Sequence, residues 1–331
     1  MKINICFSTD NNYIHHLART LCSILSNADR TDTFDIFVLE NDVSESNKNK
    51  LLKEFNSSTC RINFVNISTN LFNDFPDYKF CPHITKMGYS RLLIADLLKD
   101  VDKIIYLDCD TIVLSSLKEL FETNLDGYYI AAAEDTGQIF NSKFYGRFYK
   151  QFNPYVNSGV LLINLEYWRK NNILPELTDS IKQNKENFMF GDQDAINFVF
   201  KGKIKIIDFF YNFQTCAFNI KHLLPSDIRL ALKNTQKTPK IIHYSTNNKP
   251  WNSYTYLNKY YLKYERLNPF RTESFFKLKF KSFKYFVYHV IFKVSSFCRH
   301  LLSPILDCRK KDEYIQITIF KAVKFNLLKY K

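Results

Sequence analysis

With 331 residues, 46% of them apolar, the chain can bury one large α/β core or two smaller ones, which excludes a disordered polymer. Only 7 Gly and 9 Pro rule out collagen-like and low-complexity architectures. The formal charge of +13 is lopsided: residues 1–270 carry a net +3, and residues 271–331 carry 14 Lys/Arg against 4 Asp/Glu, a net +10.

The amino terminus, Met1 to Phe7, is too short and too polar for a signal-peptide core and reads as a first strand. Further strand-like runs occupy 35–40, 61–67, 103–107, 129–133, 160–165, 203–208 and 240–245. Between them, His15–Asn27, Ser44–Phe55 (with Ser44 as N-cap) and Gly88–Leu98 carry apolar residues at helical spacing. Strands alternating with helices predict an α/β fold with a mainly parallel sheet covered on both faces. The 8 Cys are scattered without C-x-x-C pairs, pointing to a reducing compartment and no zinc cluster. No window reaches the ~18 uninterrupted apolar residues of a membrane span. The expected location is the cytoplasm.

Asp108-Cys109-Asp110 closes the apolar run 103–107. Side chains two apart on a strand point the same way, so both carboxylates project past its carboxyl end, where open α/β sheets bind ligands. Adjacent carboxylates repel unless a cation lies between them, which favours a divalent metal. The competing reading is a solvated turn.

Four further clusters fall at strand ends or helix starts. Phe7 to Tyr13 follows the first strand, where Asp10 can accept from a nucleoside and Tyr13 can stack. Asn157-Ser158-Gly159 opens the strand ending at Leu165, with an amide for a sugar hydroxyl and room for close backbone approach. Asp192-Gln193-Asp194 starts a helix running to Phe200; Asp192 alone reads as its N-cap, but the triplet is more polar than a cap requires. His243 follows an apolar run, as structural histidines often do. Combined with Asp108 and Asp110 it completes a set suited to Mn²⁺, with Mg²⁺ the alternative. Lys249 can reach a phosphate.

These residues together resemble glycosyltransferase family 8, the retaining galactosyl- and glucosyltransferases of bacterial lipopolysaccharide outer cores. The resemblance covers about residues 1–265. It rests on Thr9-Asp10-Asn11-Asn12-Tyr13, Tyr89-Ser90-Arg91-Leu92, Ile105 to Asp110, Asn157 to Leu165, Asp192-Gln193-Asp194 and His243…Lys249-Pro250-Trp251, in that order. It implies a GT-A fold over residues 1–268, with a Rossmann-like sheet, a UDP-galactose or UDP-glucose donor, and Mn²⁺ held by Asp108, Asp110 and His243. Asp10 and Tyr13 would contact uridine. Arg91, Asp135, Asn157, Asp192 and Gln193 would surround the donor sugar, and Lys249 would meet the diphosphate. Thr246 stands where the family usually places a Gly whose N–H meets phosphate; a side chain there intrudes and makes positive φ costly.

Retention of anomeric configuration requires a carboxylate nucleophile or same-face attack. Asp194 and the amide oxygen of Gln193 are the candidates, and same-face attack with Gln193 as stabiliser is the favoured expectation, an amide being a poor nucleophile. A nucleotide-sugar hydrolase, a nucleotidyltransferase or a non-catalytic membrane scaffold could use the same residues. In the tail, residues 269–331, Phe275, Phe276, Phe280, Phe283, Phe286, Val287, Val290, Ile291 and Phe292 interleave with Lys277, Lys279, Lys281, Lys284 and Lys293. That pattern predicts amphipathic helices on an anionic membrane surface, at the inner face of the cytoplasmic membrane beside a lipid-linked glycan acceptor. A terminal helix packed on the core is the alternative. A nucleic-acid partner is disfavoured by the nearly neutral main domain.

Overall fold

The computed structural model describes residues 1–77, 85–141, 152, 154–274, 276–287, 290, 306–310, 314–319 and 323–328. It divides into two units, residues 1–249 with 255–272, and residues 250–254 with 273–331.

In the first unit, β1 (Lys2–Asp10), β2 (Thr33–Asn41), β3 (Cys60–Asn66), β4 (Lys103–Leu107), β6 (Ile130–Glu134), β7 (Val156–Asn164) and β8 (Ile204–Ile206) form one sheet. Its order is β3-β2-β1-β4-β7-β6-β8. All eight strand-like runs of the sequence became strands: seven lie in this sheet, and the eighth, 240–245, is β10 (Ile241–His243). Ile104 to Leu107 and Val160 to Ile163 are almost wholly buried because helices cover both faces, so their sequences read as continuous apolar runs.

The strand direction of β7 was not foreseen. It runs antiparallel to both β4 and β6, so its first residues lie beside the end of β4, with Leu107 opposite Val160. Chain order also reverses between β1, which leads toward β2 and β3, and β4, so the crevice at their carboxyl ends is a topological switch point. A second small sheet, β5 (Thr111–Val113), β10 and β9 (Phe213–Gln214), pairs His243 with Thr111 and with Gln214. It sets the imidazole opposite the residue that follows Asp110.

Helices α1 (Ile14–Ser26) and α2 (Glu45–Phe55) match the spacing, and Ser44 Oγ caps α2 by accepting from Asn47 N–H at 3.3 Å. The helix expected over Gly88–Leu98 is instead a 3₁₀ segment, Lys86–Leu93, followed by one α turn, Ile94–Leu97. Ser90 Oγ and Arg91 Nε both donate to carbonyls three residues back, Met87 O at 2.7 Å and Gly88 O at 3.0 Å, which favours the tighter helix.

Beneath α1 lies a buried polar group. Arg19 pairs with Glu265 at 3.1 Å and donates to His16 Nδ1 at 2.9 Å. Burial first, and then the Arg19 charge, hold the His16 ring well below its ordinary pKa, and His15 is lowered for the same reasons. As pH falls, the unfolded chain binds these protons before the folded one does. This stability is therefore complete above about pH 6.5 and is lost as pH falls below it. Unfolding free energy should fall as pH is lowered through about 6.5, by at most about 1.4 kcal/mol per pH unit for each ring, and the melting temperature should fall with it. His16→Gln should flatten the slope, and an unchanged slope would reject the assignment.

In the second unit, residues 276–287 are helical, as the tail pattern predicts. Phe275, Ile291, Phe292, Lys293 and the rest of the run to 305 lie outside the described residues. The expectation of a helical tail over residues 269–331 is corrected at its end, where the described residues from 306 on are strands. Leu306–Lys310, Tyr314–Ile319 and Val323–Leu328 form a three-stranded antiparallel sheet, β11-β12-β13. The strict alternation in Tyr-Ile-Gln-Ile-Thr-Ile is a period-two signal, which suits strands and not a helix face. No helix among the described residues is long and apolar enough to cross a membrane.

Candidate active site

The carboxyl ends of β1 and β4, the start of β7, the end of β6 and the loop after β10 surround a cavity of about 600 Å³. Asp10, Tyr13, Arg91, Asp108, Asp110, Asp135, Asn157, Asp192, Gln193, His243, Thr246 and Lys249 all line it. Asp194 does not.

Asp108, Asp110 and His243 converge, with one ligand atom from each lying within 4.8 Å of the others. His243 Nε2 is 3.2 Å from Asp110 Oδ1 and 3.7 Å from Asp108 Oδ2. Asp110 Oδ1 is buried and has no hydrogen-bond partner. Two carboxylate oxygens and an imidazole nitrogen facing one another, one of them orphaned, fit a divalent cation. The remaining oxygens are held by the protein. Asp108 Oδ1 accepts from Arg91 Nη2 at 3.0 Å and from Tyr106 OH at 3.1 Å. Burial would raise the Asp110 carboxyl, but the Lys249 ammonium and then the His243 ring outweigh it and hold it well below the carboxylate range.

Lys249 is 7% exposed; Nζ pairs with Asp110 and donates to Tyr244 O at 2.6 Å. It thus stands beside the metal-fitting group. Thr246 is absent from the non-glycine residues with positive φ, so the replacement of Gly brings no backbone strain. Its N–H, expected to serve phosphate, donates to Tyr244 O at 3.0 Å.

Arg91 acts as a strut. Nη2 holds Asp108, Nε lies 3.0 Å from Asp192 Oδ2, and Nη1 donates to Ser158 O and Oγ at 2.6 and 3.0 Å. The guanidinium also lies 4.5 Å from the Tyr106 ring centroid. The N-cap reading of Asp192 fails: the helix is Asp192–Val199, its cap is Gly191 at φ +53°, and the Asp192 carboxylate faces Arg91 and Ser158 Oγ.

Across the cavity, Gln193 is fixed at both ends. Its Oε1 accepts from Ser158 N–H at 3.0 Å and Asn157 Nδ2 at 3.1 Å, and its Nε2 donates to Asp135 Oδ2 at 3.1 Å. Asp135 also accepts from Asn157 Nδ2 at 2.9 Å and, through Oδ1, from Gln138 N–H at 2.8 Å. Asp194, 1% exposed, accepts from Tyr155 OH and from the N–H groups of Met189 and Phe190, at 2.5 to 2.7 Å. It shapes the loop before the helix. At the end of β1, Asp10 Oδ1 accepts from the N–H groups of Asn12 and Tyr13, both at 2.9 Å. Burial and the neighbouring Asp110 push the Tyr13 phenol up to about 12, so it remains a donor.

Sequence reasoning missed Tyr106 and Asn212. Tyr106 lies two residues before Asp108 on the same strand face, a signal that was readable. Asn212, wholly buried and bonded to His243 Nδ1 at 3.1 Å, lies in a segment with no pattern of its own.

The profile described as glycosyl transferase family 8 matches residues 4–255. General stress protein A of Bacillus subtilis (strain 168) is 31% identical over 277 residues, covering 80% of this chain and 95% of the relative. The bifunctional glycosyltransferase WbbM superposes with a TM-score of 0.72 at 25% identity over 84% of this chain, which spans 51% of WbbM. The galactosyltransferase LgtC, solved with donor and acceptor sugar analogues, gives 0.67 at 28% identity, covering 75% of this chain and 89% of LgtC. Shared fold, a profile match across most of the first unit and a cleft with a metal-fitting triad lead to one assignment: the chain belongs to glycosyl transferase family 8 and is a GT-A glycosyltransferase.

Proposed function

We propose that the protein is a retaining hexosyltransferase that moves galactose or glucose from a UDP-sugar to a surface-glycan acceptor of the lipopolysaccharide type, with Mn²⁺ as its metal. The convergence of Asp108, Asp110 and His243 at the floor of the cleft carries this reading. LgtC, with its sugar analogues, supports a galactosyl donor.

Asp108, Asp110 and His243 would hold the cation, which when bound neutralises charge developing on the departing diphosphate. Lys249, beside Asp110, would add a second positive charge for that diphosphate. Asp10 and Tyr13 receive the uridine at the end of β1. Asp135, Asn157 and Gln193 face the sugar, whose anomeric carbon passes through an oxocarbenium-like state. Neither carboxylate of the Asp192-Gln193-Asp194 triplet is poised to attack it. Asp194 is turned away and bonded on both oxygens, while Asp192 serves Arg91 and Ser158. This arrangement supports attack on the face of departure, with Gln193 Oε1 as electrostatic support. Mass-spectrometric trapping of a glycosylated Asp194 would contradict it.

A donor screen tests the function. UDP-galactose, UDP-glucose and other UDP-sugars are incubated with Mn²⁺ or Mg²⁺, with and without a glycan acceptor, and UDP release is measured. Acceptor-stimulated release from a UDP-hexose supports the reading. Release indifferent to acceptor would favour the hydrolase, and no coupled binding of UDP and Mn²⁺ the scaffold.

The tail reading rests on residues 276–287, where Phe276, Phe280 and Phe283 are 82%, 64% and 62% exposed among Lys277, Lys279, Lys281 and Lys284. Such a face suits an anionic leaflet on the cytoplasmic side, each lysine contributing about 1 kcal/mol. Deleting residues 271–331 should abolish co-sedimentation with anionic vesicles while sparing turnover on a short soluble acceptor. Retained sedimentation would reject the membrane role.

A further inference from the structure

His243 faces the two carboxylates through Nε2, and the state of that nitrogen is decided at the other side of the ring. Nδ1 lies 3.1 Å from Asn212 Oδ1. The orientation of this amide follows from a chain of bonds with fixed polarity at both ends. At one end, Gly159 N–H, which can only donate, gives to Asn157 Oδ1 at 3.1 Å. At the other, the Asp135 carboxylate accepts from Asn157 Nδ2 at 2.9 Å. Asn157 is thereby oriented, and its oxygen also accepts from Asn212 Nδ2 at 2.9 Å. Asn212 must therefore present its oxygen to His243. That oxygen can only accept, so Nδ1 carries a hydrogen, and in the neutral ring Nε2 is then the nitrogen that offers a lone pair to the space shared with Asp108 and Asp110.

We propose that Asn212 is a positioning residue of the metal site: it fixes His243 as the Nδ1–H tautomer and aims Nε2 between Asp108 and Asp110. The proposal rests on the reading of those three residues as metal ligands. Asn212 is 0% exposed and does not line the cleft, so no substrate contact accounts for it. The arrangement also has a second reach. Asn157 Nδ2 donates to Gln193 Oε1 as well as to Asp135, so one rigid run of amides joins the orientation of the metal-facing imidazole to the sugar side of the cleft. Partners of this kind typically change metal affinity by about 10–100-fold when removed.

The test combines a tautomer measurement with metal binding. In chelated full-length protein, ¹⁵N-histidine NMR at a pH above the imidazolium range reads His243, assigned by its loss in His243→Gln. The expected result is hydrogen on Nδ1. Hydrogen on Nε2 overturns the positioning role alone, without reference to any metal. Mn²⁺ binding is then followed by the electron paramagnetic resonance of the free ion. Asn212→Leu, which removes the acceptor at similar volume, should weaken binding about 10–100-fold, and Asn212→Asp, which keeps an acceptor for Nδ1–H but loses the donor to Asn157 Oδ1, should lose clearly less than the Leu variant. Unaltered affinity in the Leu variant, or equal loss in both, overturns the proposal. Should the Leu variant not fold, the parent tautomer decides it. A parent protein with hydrogen on Nδ1 that binds no divalent ion contradicts the metal reading and the positioning role with it.

Discussion

Asp108→Asn should cut sugar transfer by at least about a thousandfold, roughly 4 kcal/mol of transition-state stabilisation, while hardly changing the melting temperature. The asymmetry comes from how the carboxylate is held. Oδ1 already accepts from Arg91 and Tyr106, and an amide oxygen can take over both bonds. The new amide nitrogen falls at the place of Oδ2, 3.7 Å from His243 Nε2, and can donate toward that lone pair. A neutral contact then occupies the position where the cation fits. Asp110→Asn should abolish transfer equally but cost more stability. Its amide nitrogen would lie 3.2 Å from Nε2, yet Lys249, buried at 7% exposure, would lose its counter-charge. Removing one member of a buried pair typically costs about 3 kcal/mol or more. Calorimetric titration of Mn²⁺ with UDP, run beside thermal melts of both variants, checks the pattern. Full transfer by either variant, or by the parent protein in EDTA, would remove the metal from the mechanism.

Much of this site was legible because its parts lie where the sequence changes character. Asp108 and Asp110 end an apolar run, Asn157 to Gly159 begin another, and Asp10 follows the first. Burial of the sheet on both faces produced those runs, and strand ends then announced themselves as the first polar residues. Direction is another matter. The pattern of β7 is the same whether it runs parallel or antiparallel to β4, yet only the antiparallel direction brings Asn157 beside Asp108. The partnership of β5 with β10 was equally hidden. Three-residue strands separated by over a hundred positions carry no periodicity, and their pairing depends on the tertiary fold. Asn212 illustrates the limit: a Tyr-Asn-Phe segment looks like any loop until His243 is placed against it. Asp194 illustrates the reverse error. Its neighbours in sequence face the cleft, but on a helix the third residue points elsewhere, and here it is bonded to Tyr155.

The harshest single-atom perturbation should be Gly159→Ala. Gly159 is not among the positive-φ glycines, so the demand is for space and not for backbone freedom. A Cβ at this position would lie 2.2 Å from His243 Cε1 and 2.7 Å from Asp108 Oδ2, both far inside contact distance. The strand cannot easily retreat. Gly159 O accepts from Asp108 N–H at 2.9 Å, and Gly159 N–H donates to Asn157 Oδ1 at 3.1 Å, so movement disturbs the residues that define the site. The imidazole is no freer, being 3% exposed and bonded to Asn212. Either ring or carboxylate must shift by something near an ångström, and each shift parts Nε2 from the oxygens it faces. Overpacking of this kind usually costs about 1–3 kcal/mol, a tolerable loss for the fold. Transfer should nevertheless fall at least about a hundredfold, since a displacement of about 1 Å can cost that much in an oriented site. The diagnostic is the ratio: Mn²⁺ affinity should drop far more than thermal stability. A Gly159→Ala protein that binds Mn²⁺ within about twofold of the parent would show that the imidazole and Asp108 need not be this close, and the three-ligand geometry would have to be abandoned.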